Sequence, residues 1–353
     1  MAIRIDETKI LKDIQKLVRE RKRITSSTKY YYSTLDIYNL VRIYKELTGK
    51  SLDIKIHNNP KFSRYMQKYM SSIETDVYSY FLNQEEHTIL SNHILKTYED
   101  ANFIDCVRKL QTRFTEKEFL ELARDFCGSY DDRLYKLLNT TLERNGIDMR
   151  GVNKSKATTN PMFTSNNHYI LLPNQFDLEG INILIHELGH LWAYSVLDVR
   201  SKKQSMDANM TFYESYSHYM EQCFMKYLKN NHILLKETSI VENAYYVWLR
   251  DFFEELNMCK GLKRDEEDLD VLDLISESYQ YSYGMLIGVL LHERYINDPI
   301  CAKKDIDNYL FNQGLVDKDR EFEMLGLTRE SLNDTKILAK RLKEHNEFHR
   351  KYS

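Results

Sequence analysis

Glycine and proline are scarce in this 353-residue sequence, which contains only 11 and 4 of them. Both residues are concentrated in turns, and an all-β protein of this length needs many more of them. Leucine, lysine, glutamate and isoleucine are abundant instead, and most of these residues favour helices. The composition therefore argues against a turn-rich β architecture and predicts a mainly α protein.

The sequence also has no excess of positive charge. It contains 50 Lys and Arg and 53 Asp and Glu, which give a net charge of −3. Binding to nucleic acid needs a strongly basic face, so no nucleic-acid partner is predicted. No run reaches the roughly 18 apolar residues of a membrane span. The first residues, MAIRIDETKILKDIQKL, lack the apolar centre of a signal peptide. We expect no membrane partner and a cytoplasmic location.

Paired cysteine motifs are absent as well. The five cysteines are odd in number and widely spaced, and no two of them form a C-x-x-C pair. They are Cys106, Cys127, Cys223, Cys259 and Cys301. This pattern predicts buried thiols in a reducing compartment.

Helical periodicity dominates the chain outside one irregular segment. Amphipathic patterns follow one another over residues 1–150 and resume from Asp177, a plausible helix N-cap. Between them, KATTNPMFTSNNHYILLPNQ has no helical period and contains the β-like run HYILL. We predict a hairpin or edge strand over 168–172. The expected organisation is a helical N-terminal lobe, 1–150, and a second lobe, 151–353, which contains the candidate site described next, within one continuous fold.

The run IHELGHLW places His186, Glu187 and His190 in the pattern H-E-x-x-H. Residues four apart on a helix are offset by about 40°, so the two histidines project from one face. Two imidazoles at this spacing can share a tetrahedral zinc, and the glutamate can then act as general base. The alternative is two ordinary histidines on an amphipathic helix. It is disfavoured because the neighbouring residues are apolar and would bury the two imidazoles, and buried polar groups need partners.

A catalytic zinc needs a third protein ligand from elsewhere in the chain. The elongated form of the motif is excluded, since Ala193 and Val196 occupy the positions that need Gly and His. The next helical segment, MTFYESYSHYMEQCFMKYL, offers Glu214 and, on nearly the same face, Glu221. His218 could replace Glu214 as the ligand or line the cleft. A solvated helix face is the remaining alternative.

H-E-L-G-H followed about 24 residues later by E-x-x-S-x-x-x-E resembles the zinc oligopeptidases related to oligoendopeptidase F and thimet oligopeptidase. In this chain the second element is Glu214, Ser217 and Glu221. A strand before the zinc helix and a tyrosine-rich stretch, YQYSYGMLIG, occur in the same order. The likeness extends over about 150–345 and is weak before that, and members of the family are usually longer.

The resemblance implies a mainly α, gluzincin-like fold, in which a helical bowl encloses a deep channel and a small hairpin lies next to the zinc helix. It implies one Zn2+ ion bound by His186, His190 and Glu214, with Glu187 as the acid and base. Short peptides are the implied substrates. A downstream tyrosine is implied to bind the oxyanion, and Tyr283 is the nearest positional match.

Further residues are candidates for orienting a ligand or contacting the substrate: Glu221, His218, Tyr279, Tyr281, His168 and Tyr169. The tyrosines have a plain alternative as core aromatics. The strand at 168–172 would pair with the backbone of an extended peptide. The family commonly has a histidine ten to twelve residues before the downstream tyrosine, whereas this chain has DLDVLDLISES there.

Two rival functions share these residues. The first is a protein of the same fold that binds peptides or a partner and has a structural or vestigial zinc. The missing histidine favours this function, whereas the intact H-E-x-x-H motif argues against it. Hydrolysis of a non-peptide amide would use the same site. Cobalt or manganese can occupy such sites in place of zinc.

Overall fold

The computed structural model describes residues 3–54, 84–106, 108–151, 157–165, 167–196, 210–258, 269–313 and 318–353. Contacts divide the described chain into two compact units. Unit 1 joins residues 3–54 to 113–196, and unit 2 joins 84–112 to 210–353. The predicted lobe boundary at residue 150 does not coincide with this division, because helices early in the chain pack with later segments in both units.

The described elements are mainly helices, with three short strands. In chain order they are α1 (Glu7–Arg21), α2 (Ser27–Thr48), α3 (Gln84–Asp100), α4 (Glu116–Tyr130), α5 (Asp132–Glu143), β1 (Ile147–Asp148), β2 (Thr158–Asn160), β3 (Tyr169–Leu171), α6 (Leu178–Val196), α7 (Met210–Asn230), α8 (Leu235–Met258), α9 (Leu269–Asn297), α10 (Pro299–Asn312), α11 (Lys318–Met324), α12 (Arg329–Asn333) and α13 (Lys336–Tyr352). The prediction of a mainly α fold is confirmed.

Local sequence explains where several of these helices begin and end. The Asp6 side chain accepts a hydrogen bond from the Thr8 N–H at the start of α1. Thr115 and Glu118 form a reciprocal capping box at the start of α4. Such caps satisfy N–H groups that have no partner within the helix. Gly49 ends α2 with a φ of 69°, a left-handed conformation that costs glycine little.

The core of unit 1 lies where α1 and α2 pack against the strand segment. Ile10 and Ile14 of α1 belong to the same buried cluster as Ile43 of α2 and Tyr169 of β3. The spacing of these apolar residues along each helix places them on one face. Burying a side chain of this size contributes about 1.5–3 kcal/mol, so this cluster fixes the strands against the N-terminal helices.

The three strands form one sheet in the order β1-β3-β2. β2 and β3 are antiparallel and consecutive, so the predicted hairpin is confirmed. β1 pairs with β3 in parallel on the opposite side. Of the two predicted alternatives, the hairpin therefore applies and the edge strand does not, because residues 147–148 pair with the other side of β3. Among the described strands, β1 and β2 each have an outer edge that pairs with no strand.

Helix α2 holds β2 and the loop that follows it. The buried Asp36 carboxylate accepts hydrogen bonds from the Phe163 and Thr164 N–H groups, at 2.7 and 2.9 Å. Burial raises the pKa of Asp36 despite these bonds. Arg42 donates from Nη2 to the Asn160 side-chain oxygen at 2.6 Å. The position of β2 therefore depends on side chains more than a hundred residues earlier in the chain.

Unit 2 contains a buried charged network that joins α7, α8 and α13. Glu242 pairs with Lys229, whose Nζ lies 2.5 Å from Oε2, and with His345, whose Nδ1 lies 2.8 Å from the same oxygen. Burial opposes the ionised form of Glu242, but Lys229 and His345 hold the pKa of this carboxyl far below its usual value. The C-terminal helix is thus tied to the centre of unit 2.

The described cysteines are free and differ in exposure. Cys127 and Cys223 are buried as predicted, and burial raises the pKa of each thiol to about 12. The prediction is wrong for Cys301, which is exposed on α10, and Cys106 is only partly buried. Cys259 lies outside the described residues.

Among the helices that are described, none combines the length and the apolar character needed to cross a membrane.

Candidate functional site

Helix α6 carries the H-E-x-x-H motif in the interior of unit 1. Asp177 caps its first turn, as predicted, because its Oδ1 accepts the Gly180 N–H at 3.0 Å. Most side chains of α6 are buried, including Ile185 and Leu191 on either side of the motif. The apolar burial on both sides fixes the rotation of the helix and thereby the direction of its polar side chains.

His186 and His190 project from one face of α6, as their spacing predicts. Their Nε2 atoms lie 3.1 Å apart, and the rings meet edge to face with centroids 4.8 Å apart. Two ligand atoms on one tetrahedral zinc are about 3.3 Å apart, given metal–nitrogen distances of 2.0–2.1 Å. The separation of the two nitrogens is therefore close to that of two ligands on one cation.

Glu187 is buried and contacts Thr159 of β2. The Thr159 hydroxyl donates to the Glu187 carboxylate, with Oγ1 2.6 Å from Oε2 and 3.0 Å from the Glu187 carbonyl oxygen. A carboxylate held in this way has a fixed orientation. Thr159 could not be predicted from the sequence, because no spacing rule links a strand residue to a glutamate 28 positions later.

The N–H and C=O groups of Thr159 point away from β3. Thr159 lies opposite Ile170, and the Ile170 N–H donates to the Gly146 carbonyl on the far side of β3. In an antiparallel pair, such a position is not hydrogen-bonded across the ladder. The Thr159 peptide groups therefore point to the outer edge of β2, where an extended peptide can pair with them.

His168 and Tyr169 were predicted to contact substrate, but both side chains are buried in unit 1. The Met162 N–H donates to His168 Nδ1 at 2.9 Å, so this ring anchors the loop between β2 and β3. Burial lowers the pKa of His168 to about 4, with a smaller contribution from Arg144. Nothing in this geometry supports a substrate contact for either residue.

We expect His168 to make unit 1 less stable in acid. Because its pKa in the folded protein is about 4, below the ordinary 6.5, the unfolded chain takes up a proton first as the pH falls. Stability that is present above pH 6.5 is lost towards pH 4, by about 3 kcal/mol at 1.36 kcal/mol per pKa unit. Urea unfolding at several pH values measures this loss.

The control is His168→Asn, which keeps an acceptor near the position of Nδ1 and does not titrate. Its free energy of unfolding should fall less steeply between pH 6.5 and 4 than that of the wild type. Equal slopes for the two proteins would contradict the assignment.

Helix α7 in unit 2 carries the second element of the motif. The four polar residues of α7 that the sequence singles out are all buried: Glu214, Ser217, His218 and Glu221. His218 Nδ1 lies 2.9 Å from Glu221 Oε1, and His218 Nε2 lies 3.9 Å from Glu214 Oε2. The alternative of a solvated helix face is therefore wrong, because all four side chains are buried.

Two glycines of α9 allow that helix to lie directly against α7. A Cβ atom on Gly284 would lie 2.6 Å from Glu214 Cβ, and one on Gly288 would lie 2.9 Å from His218 Cβ. Real Cβ atoms do not approach other atoms this closely. The backbone of α9 therefore packs directly against Glu214 and His218 of α7.

The tyrosines of the downstream stretch lie on two faces of α9. Tyr281 is only partly buried, and its ring centroid lies 6.2 Å from that of His218 and 5.2 Å from that of Phe252. Tyr283 is 0% exposed, and its hydroxyl lies 2.5 Å from Nδ1 of His87 on α3. Tyr279 stacks on Tyr283, with ring centroids 4.7 Å apart.

His87 was missed by the sequence analysis, because it lies almost two hundred residues before the tyrosine that it contacts. Burial raises the pKa of Tyr283 well above its usual value, so the hydroxyl stays protonated and forms its hydrogen bond with the His87 ring nitrogen in that state. Among the predicted tyrosines, Tyr281 is the one whose ring lies near His218, so it is on the side of α9 that faces Glu214 and His218.

The comparison with solved structures identifies proteins with a similar fold. No family model matches the chain, and no curated protein matches its sequence. Among solved structures, a protein assigned as oligoendopeptidase F has a TM-score of 0.53 and 10% identity over 91% of this chain and 66% of its own. PZ peptidase A, solved with an inhibitor, gives 0.51 and 11% identity over 96% and 71%.

A protein from Chlamydophila abortus assigned as a peptidase gives a TM-score of 0.50 and 14% identity over 91% of this chain. This chain spans 62% of that protein and 66% of the assigned oligoendopeptidase F, so it is shorter than both. Identities this low show the fold alone. The chain has a fold like that of oligoendopeptidase F, as its two-part motif predicts.

Proposed function

We propose that this protein is a zinc-dependent peptidase that hydrolyses short peptides. The single observation that carries the proposal is the convergence of His186 and His190, whose Nε2 atoms lie 3.1 Å apart beside a buried Glu187. The fold shared with proteins assigned as peptidases supports peptides as the substrate class. The channel that would admit these peptides stays a prediction from the resemblance.

The proposed metal ligands are His186, His190 and Glu214. Two imidazole nitrogens and one carboxylate oxygen form a donor set that zinc prefers in catalytic sites. The buried carboxylate of Glu214 supports this assignment, because a buried negative charge needs a compensating positive charge. Lewis acidity towards water and towards a peptide carbonyl is the chemistry that the cation supplies when bound.

Glu187 is proposed to carry the proton. Its carboxylate takes a proton from the attacking water and passes it to the leaving amine when the C–N bond breaks. The Thr159 hydroxyl holds one carboxylate oxygen, which leaves the other to face the water. Tyr281 is proposed as the donor to the developing oxyanion, since the hydroxyl of Tyr283 is engaged by His87.

The substrate backbone is proposed to pair with the outer edge of β2. Thr159 offers one N–H and one carbonyl at that edge, and backbone pairing holds an extended peptide with little dependence on its sequence. This assignment replaces the predicted role of β3, which has neighbours on both sides.

Thr159→Val is expected to lower kcat about tenfold and to leave KM and zinc content unchanged. Valine has the shape of threonine but no hydroxyl, so Glu187 loses a bond to a charged group that contributes about 1.5–3 kcal/mol. Steady-state kinetics on a quenched fluorescent peptide measure the effect. Thr159→Ser keeps the hydroxyl and serves as the control, and equal losses in the two variants would exclude a role for this bond.

The test of the proposed function is mass spectrometry of the products formed from a mixed peptide library. We expect internal cleavage of short peptides, loss of cleavage after treatment with a chelator, and recovery when zinc is added back. Zinc uptake without cleavage of any peptide would contradict the proposal. If the protein binds peptides without cleaving them, the result would favour the alternative of a peptide-binding protein with the same fold.

A further inference from the structure

Helices of unit 1 contact both faces of β2. The Thr159 side chain points towards α6, where its hydroxyl meets Glu187. Side chains alternate along a strand, so Asn160 points to the opposite face. There its side-chain oxygen accepts hydrogen bonds from Arg42 of α2, at 2.6 Å from Nη2 and 3.1 Å from Nε. The two faces of β2 therefore differ in charge, with a carboxylate towards α6 and a guanidinium towards α2.

Arg42 lies near the outer edge of β2 rather than over the middle of the sheet. Tyr169, which lies opposite Asn160 on β3, is buried in one cluster with Ile43 of α2. That cluster covers this face of β3, whereas the preceding residue of α2, Arg42, is exposed. Its guanidinium is therefore accessible from the edge at which Thr159 offers its N–H and its carbonyl.

The Arg42 guanidinium has donors that Asn160 does not use. A guanidinium carries several N–H groups in one plane, and two of them meet a single neutral oxygen here. Within the described part of the chain, no carboxylate lies within ion-pair distance of Arg42. The remaining N–H groups form a planar fork that matches a carboxylate. The bonds to Asn160 hold this fork in place before a ligand arrives.

A peptide on the outer edge of β2 presents alternate side chains to the two faces. The side chain of the residue opposite Thr159 points towards α6, and that of the residue beside Asn160 points towards Arg42. The next residue of the protein, Pro161, has no N–H to donate, and its carbonyl accepts from Asn39 at 2.8 Å. Backbone pairing therefore ends at Thr159 in this direction, and a side chain beside Asn160 is the next part of the peptide that can be bound.

We propose that Arg42 is a specificity-determining residue that binds a carboxylate of the peptide substrate, next to the residue opposite Thr159. The inference rests on the proposed function, because it takes the outer edge of β2 as the peptide site. The charge of the fork selects glutamate over glutamine, which has the same shape. A C-terminal carboxylate has the same chemistry and is the second possible source.

The experiment uses quenched fluorescent alanine peptides with an amidated C-terminus, in which one glutamate or one glutamine is moved from position to position. We expect kcat/KM to be about tenfold higher for glutamate at one position, as a hydrogen bond between charged groups allows. The difference should lie in KM, because this contact is the same in the ground state and the transition state. High salt should weaken it, since Arg42 is exposed. The alanine peptide with a free C-terminus tests the second source.

Arg42→Gln should abolish the preference for glutamate over glutamine. The new side chain can still donate to Asn160, but it has no charge. Arg19→Gln makes the same chemical change at an exposed position of α1 and is the matched control, which should keep the wild-type preference. The comparison of peptides with the wild-type protein is decisive even if Arg42→Gln does not fold.

Cleavage without any preference for glutamate or for a free C-terminus would overturn the inference and leave the peptidase function intact. A preference that survives in folded Arg42→Gln would do the same. If no peptide is cleaved, fluorescence anisotropy with the same peptides measures binding. Tighter binding of a glutamate peptide that depends on Arg42 would then support the carboxylate site and contradict the peptidase. Peptides that are neither bound nor cleaved would overturn both.

Discussion

Replacing Glu187 by glutamine is expected to reduce turnover about 10³-fold, within the range of general acid and base catalysis. The amide has the shape of the carboxylate and can still accept the Thr159 hydroxyl, but it cannot take a proton from water. Zinc content should equal that of the wild type, because His186 and His190 are unchanged. Peptide kinetics and metal analysis on the same preparation measure both quantities.

Glu179→Gln is the matched control for this variant. Glu179 lies two turns earlier on α6, where its carboxylate accepts a hydrogen bond from Gln175 at 2.8 Å. The control makes the same chemical change on the same helix, and its turnover should match the wild type. Cleavage at the wild-type rate by Glu187→Gln would remove Glu187 from the mechanism.

Gly284→Ala is expected to disturb unit 2 more than any other small substitution on α9. The added Cβ would lie 2.6 Å from Glu214 Cβ and 3.3 Å from the Glu214 carbonyl carbon, so α7 and α9 must move apart. Overpacking of this kind costs about 1–3 kcal/mol, which exceeds the roughly 1 kcal/mol that alanine gains over glycine in a helix. Thermal and urea unfolding measure the net loss of stability.

The same substitution should weaken zinc binding by at least about tenfold, because the displaced α7 carries Glu214 and ligands act only within a narrow range of positions. Gly128→Ala on α4 is the control. Its Cβ would meet only the Tyr135 side chain, at 3.6 Å, which is an ordinary contact. That control should be as stable as the wild type or slightly more so. Unchanged stability and zinc affinity in Gly284→Ala would contradict the close packing.

Local patterns in the sequence were sufficient to predict α6 and its cap. The apolar run around H-E-x-x-H has a helical period, and Asp177 starts the helix as its residue type suggests. The hairpin could also be predicted, because residues 157–172 contain turn formers around a β-like run. These features depend on neighbours within a few residues, so the sequence alone determines them.

Features that depend on distant contacts could not be predicted. The two residues of β1 are too short a run to be recognised as a strand, and they convert β3 from an edge strand to a central one. His87 and Thr159 gain their roles only when helices and strands from separate parts of the chain meet. The choice between Tyr281 and Tyr283 depends on which face of α9 meets α7, and a periodicity argument does not fix that face.

The short unpaired edge of β2 has a consequence for the solubility of the protein. A long open strand would recruit other copies of the chain and promote aggregation, and natural sheets avoid this partly by keeping edge strands short. β2 has only three residues, Thr158–Asn160, and its neighbour β3 is already paired on both sides. The edge that we propose for peptide pairing therefore offers too little backbone to seed a fibril.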